Sequence, residues 1–235
     1  MLVNERKLKI INLLMQQRRA TLEELIEVTE SSISTLRRDL NDLEEEKKLR
    51  RVHGGAELIQ DLSKELSIFE KTSKNVHEKQ IIANKALKKI KEGDVIFLDA
   101  GTTTGSMIAG IKQLKKELTI VTNSVTHASN LVAEHLTVYI LGGCVKKTTD
   151  AITGSVALSQ LKNYRFNLAF IGANAFVEES GVMTPDSEEA AIKRQAILQA
   201  DEAFVLIDSS KIGQTSFVRF AQADEVIMIT ELEKK

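Results

Sequence analysis

Six short apolar runs set the main constraint on what this chain can fold into. DVIFLDAG (94–101), LTIVTNS (118–124), LTVYILGG (136–143), FNLAFIGAN (166–174), EAFVLIDSS (202–210) and EVIMIT (225–230) are rich in Val, Ile, Leu and Phe. Runs of this length that do not alternate with polar residues fit strands buried on both faces, as in a mostly parallel sheet. Helical candidates lie between several of them, at 104–113, 126–134 and 188–199. That alternation predicts an α/β domain from residue 80 to 235. The single proline, Pro185, falls in a loop ahead of the helix that starts near Ser187.

The first 58 residues follow a different pattern. Leu8, Ile11 and Leu14 or Met15 recur at helical spacing. TLEEL opens a second helix, where Thr21 caps and Glu24 reaches back in a capping box, with Leu22, Leu25 and Ile26 facing inward. A third begins near SSIS, capped by Ser31 or Ser32, and gathers Ile33, Leu36, Leu40 and Leu43 on one side. KLRRVHGGAEL then reads as two strands about a Gly-Gly turn. Three helices and a hairpin predict a winged helix-turn-helix over residues 1–58. Residues 59–79 are charged and lack glycine and proline, which predicts a linker with helical character.

Total charge says nothing about nucleic acid. The formal net charge is −1, and residues 1–58 carry eleven basic and eleven acidic side chains. Only the arrangement of charge carries that argument. At 100° per residue, Arg38 points away from the apolar side of the third helix, with Ser34 about one turn earlier on the same face. Thr35 and Asn41 flank that face, and Arg37 sits at its edge. Short hydroxyl side chains at the helix start (Ser32, Ser34, Thr35) with Arg37 and Arg38 behind them suit a major groove, where Arg donates twice to guanine. An isolated Arg pair would more simply meet Asp39, Asp42 or the acids at 44–46. Here the hairpin adds Arg50, Arg51 and His53, suited to phosphates, so the expected partner is double-stranded DNA.

In the second domain, Asp99, Gly101, Thr102, Thr103 and Thr104 follow a strand and open a helix, where free N–H groups favour an anion. Asn123, Gly142, Gly143 and Lys211 also lie at strand ends, where ligands of open α/β sheets collect. The predicted occupant is a sugar phosphate, its phosphate on the threonine loop and Lys211, its hydroxyls near Asn123 and neighbouring acids. GTTTG is not a P-loop, because no Lys follows the second Gly. Each feature alone has a plain structural reading; their joint placement points to a site. For Glu188 and Glu189 a solvated face is the simpler expectation.

One cysteine, Cys144, excludes an intramolecular disulfide and argues against a cysteine zinc site, which leaves a structural thiol. No cofactor or metal is expected. Charges interrupt the N-terminal stretch at once, and nothing approaches the roughly 20 apolar residues of a membrane span, so a cytoplasmic protein without membrane contact is predicted.

STLRRDLNDLEEEKKLRRVHGGAEL (34–58) resembles the DNA-binding signature of DeoR-type bacterial repressors of sugar metabolism, fructose- and lactose-repressor-like members included. DVIFLDAGTTT, TIVTNS, LGG, AFIGAN, GVMTPDSEEAAIKRQAI and VLIDSSK are similar, in order, to that family's effector domain. The resemblance implies a winged helix-turn-helix followed by an α/β domain related to ribose-5-phosphate isomerase and CoA-transferase-like folds. It also implies a repressor released by a phosphorylated sugar, a ketose phosphate from the members it looks most like. The family usually has Gly at the position of Lys47, an apolar residue at Ser31 and Gly at Ala175. A homodimer or homotetramer is expected, since one reading helix covers few base pairs. Two alternatives remain. An isomerase-like enzyme would need a carboxylate base such as Asp99 or Asp208 but has no use for a DNA reader. An activator would use the same residues.

Overall fold

The computed structural model describes residues 2–59, 62, 63 and 65–232, and the chain divides into two compact units, residues 1–61 and 62–235. In the first, helices α1 (Val3–Gln17), α2 (Leu22–Thr29) and α3 (Ile33–Glu45) pack with strands β1 (Arg19–Thr21), β2 (Leu49–Val52) and β3 (Gly55–Leu58). Their shared core is Ile10, Leu14, Ala20, Leu25, Leu36, Leu40, Leu43, Leu49 and Ala56. The α1 stripe therefore runs through Ile10 and Leu14, and Leu8, expected inside, is exposed. Thr21 and Glu24 form the capping box at α2, and Ser32 is the cap of α3, accepting from the Thr35 N–H at 3.3 Å.

The wing is a three-stranded antiparallel sheet in the order β1-β3-β2, not a lone hairpin. Its two-residue loop is His53-Gly54, because Gly55 already pairs with Val52 and with Thr21. Gly55 allows β1 and β3 to approach: a Cβ there would lie 2.0 Å from the Ala20 carbonyl oxygen. Lys47, where the sequence resemblance implies Gly, follows the end of α3 at φ 56. The left-handed region costs a non-glycine residue about 1–2 kcal/mol, partly offset by glycine's greater unfolded-chain entropy. Lys47→Gly is therefore expected to stabilise the first unit by about 0.5–1 kcal/mol, read as a raised midpoint in urea.

The second unit begins with helices α4 (Ile68–Thr72) and α5 (Val76–Leu87), so most of the segment expected as a linker is folded, and Lys79 within it is buried. Then follow β4 (Val95–Leu98), α6 (Thr102–Gly105), α7 (Ile108–Gln113), β5 (Leu118–Thr122), α8 (Val125–Leu131) and β6 (Leu136–Ile140). Next come β7 (Cys144–Val145), β8 (Ile152–Thr153), α9 (Ser155–Leu161), β9 (Phe166–Gly172), β10 (Ala175–Val177) and β11 (Gly181–Thr184). The chain closes with α10 (Ser187–Leu198), β12 (Ala200–Leu206), β13 (Val218–Ala221) and β14 (Ile227–Ile229).

All six predicted runs are strands of one parallel sheet, in the order β14-β12-β9-β4-β5-β6. Successive residues of the central strands feed two cores: Phe97, Ile171 and Val205 on the face covered by α9 and α10, Ile96, Phe170 and Phe204 on the face covered by α5 and α7. Complete burial of such side chains contributes about 1.5–3 kcal/mol each. The exceptions are the edge strands, β6 with Tyr139 and Ile140 exposed and β14 with Ile227 exposed. Cys144, expected as a structural thiol, is a free and exposed thiol.

Candidate functional site

In the first unit, the hydroxyls of Ser32, Ser34 and Thr35 cluster at the start of α3, Ser32 Oγ lying 3.0 Å from each of the other two. Behind them Arg37 and Arg38 are exposed, and among the described residues neither enters an ion pair. Four of the five nearby acids are engaged elsewhere, Glu45 excepted. Buried Asp39 takes both arms of Arg6, at 2.7 and 3.0 Å. Asp42 and Glu46 each meet Lys7 at 3.0 Å, Glu46 also meets Lys48, and Glu44 accepts the Arg51 backbone N–H at 2.8 Å. The result is an uncompensated basic face within a neutral unit.

The wing does not present its two arginines together. Adjacent strand residues point to opposite faces. Arg51 donates to Asn41 Oδ1 and so ties the wing to α3, while Arg50 pairs with Glu57 at 3.3 Å. His53 is exposed at the loop.

In the second unit the strand order reverses between β4 and β9: β5 and β6 extend the sheet to one side of β4, and β9, β12 and β14 to the other. Ligands of open α/β sheets bind at that reversal, outside the carboxyl ends of the strands. The loop 99–104 leaves β4 there. Asp99 is buried, and it accepts from the Gly172 N–H at 2.9 Å and from Lys193 Nζ. Burial alone would lower Lys193, yet Asp99 and Glu189 outweigh it and hold the ammonium above the ordinary lysine value.

Several expected ligand contacts are already spent inside the protein. Asn123 Oδ1 accepts the Ala100 N–H at 2.7 Å, and the Thr104 hydroxyl, fully buried, donates to the Asp99 carbonyl at 2.7 Å. The Gly142 N–H donates to Gln160 at 2.7 Å. At Gly143 a Cβ would lie 2.6 Å from the Thr153 carbonyl oxygen, so glycine is required by close packing. Thr102 and Thr103 make no side-chain hydrogen bond among the described residues; Thr102 is half-buried and Thr103 buried. Buried His127 backs this loop, and desolvation holds its pKa near 4, so it is neutral.

Lys211 pairs with buried Asp208 at 3.1 Å, and Asp208 also accepts from Asn75 at 2.9 Å and from Ser210. Next to them Lys79 is buried and donates to the Lys71 carbonyl. Burial, and then the like charges of Lys211 and Lys71 against the pull of Asp208, lower its pKa. Lys146 joins Asp186 at 2.8 Å, Glu189 at 3.1 Å and Glu65, and Glu65 reaches Lys71 at 3.3 Å. Glu189 is buried, not solvated as expected; it accepts from Thr149 at 2.7 Å, and Lys193, Thr149 and Lys146 lower its pKa against the opposing effect of burial. Lys71, Lys79, Lys146 and Lys193 went unrecognised in the sequence reading. Only the four-residue spacing of Glu189 and Lys193 on α10 gave a signal for any of them.

Among the described residues no helix is long and apolar enough to cross a membrane, and no group of three or more His, Cys, Asp or Glu side chains is placed to hold a metal ion.

Residues 6–61 match the DeoR-like helix-turn-helix domain and residues 74–231 the DeoR C-terminal sensor domain. The chain is 44% identical over 230 residues to the Bacillus subtilis protein described as an uncharacterized HTH-type transcriptional regulator FruR, covering 98% of this chain and 91% of that one. It is 36% identical over 220 residues to the lactose phosphotransferase system repressor of Staphylococcus epidermidis, covering 90% and 86%. Among solved structures, eIF2B delta from Chaetomium thermophilum covers 97% of this chain and 73% of its own at 14% identity and a TM-score of 0.55, a likeness of fold alone. Ribose 5-phosphate isomerase A from Methanocaldococcus jannaschii covers 59% and 55% at 20% identity, with a TM-score of 0.44.

Proposed function

The chain belongs to the DeoR family of transcriptional regulators of sugar metabolism, and from that premise we propose that it represses a sugar-utilisation operon and leaves its operator when a phosphorylated sugar binds the second unit. In this reading α3 enters the major groove. Ser32, Ser34 and Thr35 approach the duplex at its tip, Arg37 and Arg38 reach bases or adjoining phosphates, and Arg50 and His53 meet the backbone. Arg51 acts mainly by holding the wing on Asn41. A homodimer or homotetramer in the cytoplasm, binding paired half-sites, completes the reading.

The effector is proposed to sit at the reversal of the sheet, with Gly101, Thr102 and Thr103 on one side and Lys79 and Lys211 on another. The observation that carries it is the pairing of Lys211 with Asp208 beside buried Lys79, whose pKa is lowered by burial and by the like charges of Lys211 and Lys71 against the pull of Asp208. Like charges held together at a strand end are relieved by an anion, and perturbed groups of this kind mark binding sites. Asp99, Asn123, Thr104, Gly142 and Gly143 then shape the site from behind. A ketose phosphate is the proposed class, as the family resemblance of the sequence implies.

Two measurements test the two halves. Arg38→Ala should weaken operator binding by about 1–3 kcal/mol and relax sequence preference, because a paired contact to guanine is lost. Unchanged affinity would remove α3 from the groove. In a thermal-shift screen, at least one ketose phosphate should raise the melting temperature while its unphosphorylated parent does not, since only a ligand of the folded state stabilises it. A panel without any shift would count against the effector site.

A further inference from the structure

Three of the four apolar residues of α3 are buried, Leu36, Leu40 and Leu43 at 0–1% exposure, whereas Ile33, the first residue of the helix, is 52% exposed. Sequence periodicity alone would place Ile33 with the other three, so its exposure is a finding of the structure. A lone exposed isoleucine signals little by itself. Its surroundings give it meaning. Ser32 and Ser34 flank it with hydroxyls 3.0 Å apart, and one helical turn on stand Arg37 and Arg38, exposed and without an ion pair among the described residues. Ile33 is thus the one apolar group on a helix tip otherwise built of hydroxyls and cations.

In helix-turn-helix recognition, the N-terminal residues of the second helix reach the base edges. The major groove offers donors and acceptors on every base pair, and its one apolar feature is the C5 methyl of thymine. A branched aliphatic side chain at that methyl takes water from two apolar surfaces at once. Against the amino group of cytosine, or O6 and N7 of guanine, it would leave a polar edge without a partner.

We propose that Ile33 selects thymine in each operator half-site by packing on its C5 methyl group. This deepens the reading of α3 as the groove-entering helix and rests on it. The contact adds an apolar element to a tip whose remaining groups select by hydrogen bonding.

The test uses the full-length chain and operator duplexes selected by it from a randomised DNA library. Each thymine of a selected duplex is replaced singly by uracil, which removes only the methyl group. For the wild type, uracil at one thymine per half-site should weaken binding about fourfold, the equivalent of the roughly 0.8 kcal/mol gained on burying one methyl group. Ile33→Val should keep that sensitivity. Ile33→Ser should bind the thymine and uracil duplexes alike and should melt at the wild-type temperature, because the side chain supports no core. A wild type indifferent to every uracil, or an Ile33→Ser variant that keeps the wild-type sensitivity, overturns the proposal. Arg38→Ala separates the two levels. If Arg38→Ala weakens binding while uracil does nothing, only the role of Ile33 falls; if Arg38→Ala also binds as the wild type does, the groove assignment falls with it.

Discussion

Lys193→Met is expected to destabilise the second unit by about 3–5 kcal/mol, the usual cost of removing one partner from a buried ion pair. Lys193 and Asp99 are 3% and 1% exposed, so no water replaces the lost ammonium. The carboxylate that remains also holds the Gly172 N–H, at the point where the sheet order reverses. Methionine fills the stem's volume without strain, so the loss is of charge and not of packing. For a unit of this size the melting temperature should fall by roughly 10 °C or more. The deficit should grow as pH rises, because burial pushes the Asp99 carboxyl up and the protonated acid is the form the interior tolerates. Adding Asp99→Asn to Lys193→Met should restore part of the stability by removing the stranded charge, and a double-mutant cycle reads the coupling. A single variant that melts with the wild type would show that the pair contributes nothing to the fold.

Lys211→Met should separate sensing from DNA binding. The lysine side chain is 28% exposed and pairs with Asp208, which retains Asn75 and Ser210 as partners, so the fold should tolerate the change. If Lys211 faces the effector phosphate, a charge-assisted contact of about 1.5–3 kcal/mol is lost. Effector affinity should then drop roughly ten- to a hundredfold. Operator affinity without effector should stay at the wild-type value, since α3 and the wing are unaltered. A ligand acts on DNA binding only through its differential affinity for the two states, so the variant should remain bound to its operator at effector concentrations that release the wild type. Release of both proteins at the same concentration would exclude Lys211 from the site.

What was legible in the sequence follows from how each feature is encoded. The central sheet strands announced themselves because both faces are buried and their runs are therefore dominated by Val, Ile, Leu and Phe. The cap at Thr21 was legible for a local reason, one side chain and one nearby N–H, while spacing narrowed the α3 cap to Ser31 or Ser32, of which Ser32 makes the bond. Strand β1 was missed because Arg-Ala-Thr has one buried residue and takes its stability from pairing with β3, thirty-odd positions on. Leu8 and Ile33 were misplaced because spacing alone cannot tell which edge of an apolar stripe meets the neighbouring element.

The site was legible at its strand-end loops and not at its charges. Lys79 and Lys193 sit on helices, where a lysine ordinarily faces water, and the partner of Lys193 lies 94 residues away. Nothing local to Lys79 signals burial, and for Lys193 the one local signal is Glu189 four residues earlier on α10. Thr104 Oγ1, Asn123 Oδ1 and the Gly142 N–H looked available in the sequence but are engaged in hydrogen bonds within the unit. A strand-end motif therefore locates a loop more dependably than it tells which of the loop's groups are free for a ligand.

The most direct test is a titration of the selected operator with the full-length chain, alone and with each of a panel of ketose phosphates and their parent sugars. One phosphate should weaken operator binding at least tenfold, a coupling of about 1.4 kcal/mol, while its unphosphorylated parent leaves the curve unmoved. Operator binding that ignores every phosphorylated sugar, or responds equally to the parent sugar, would contradict a regulator that senses the phosphate.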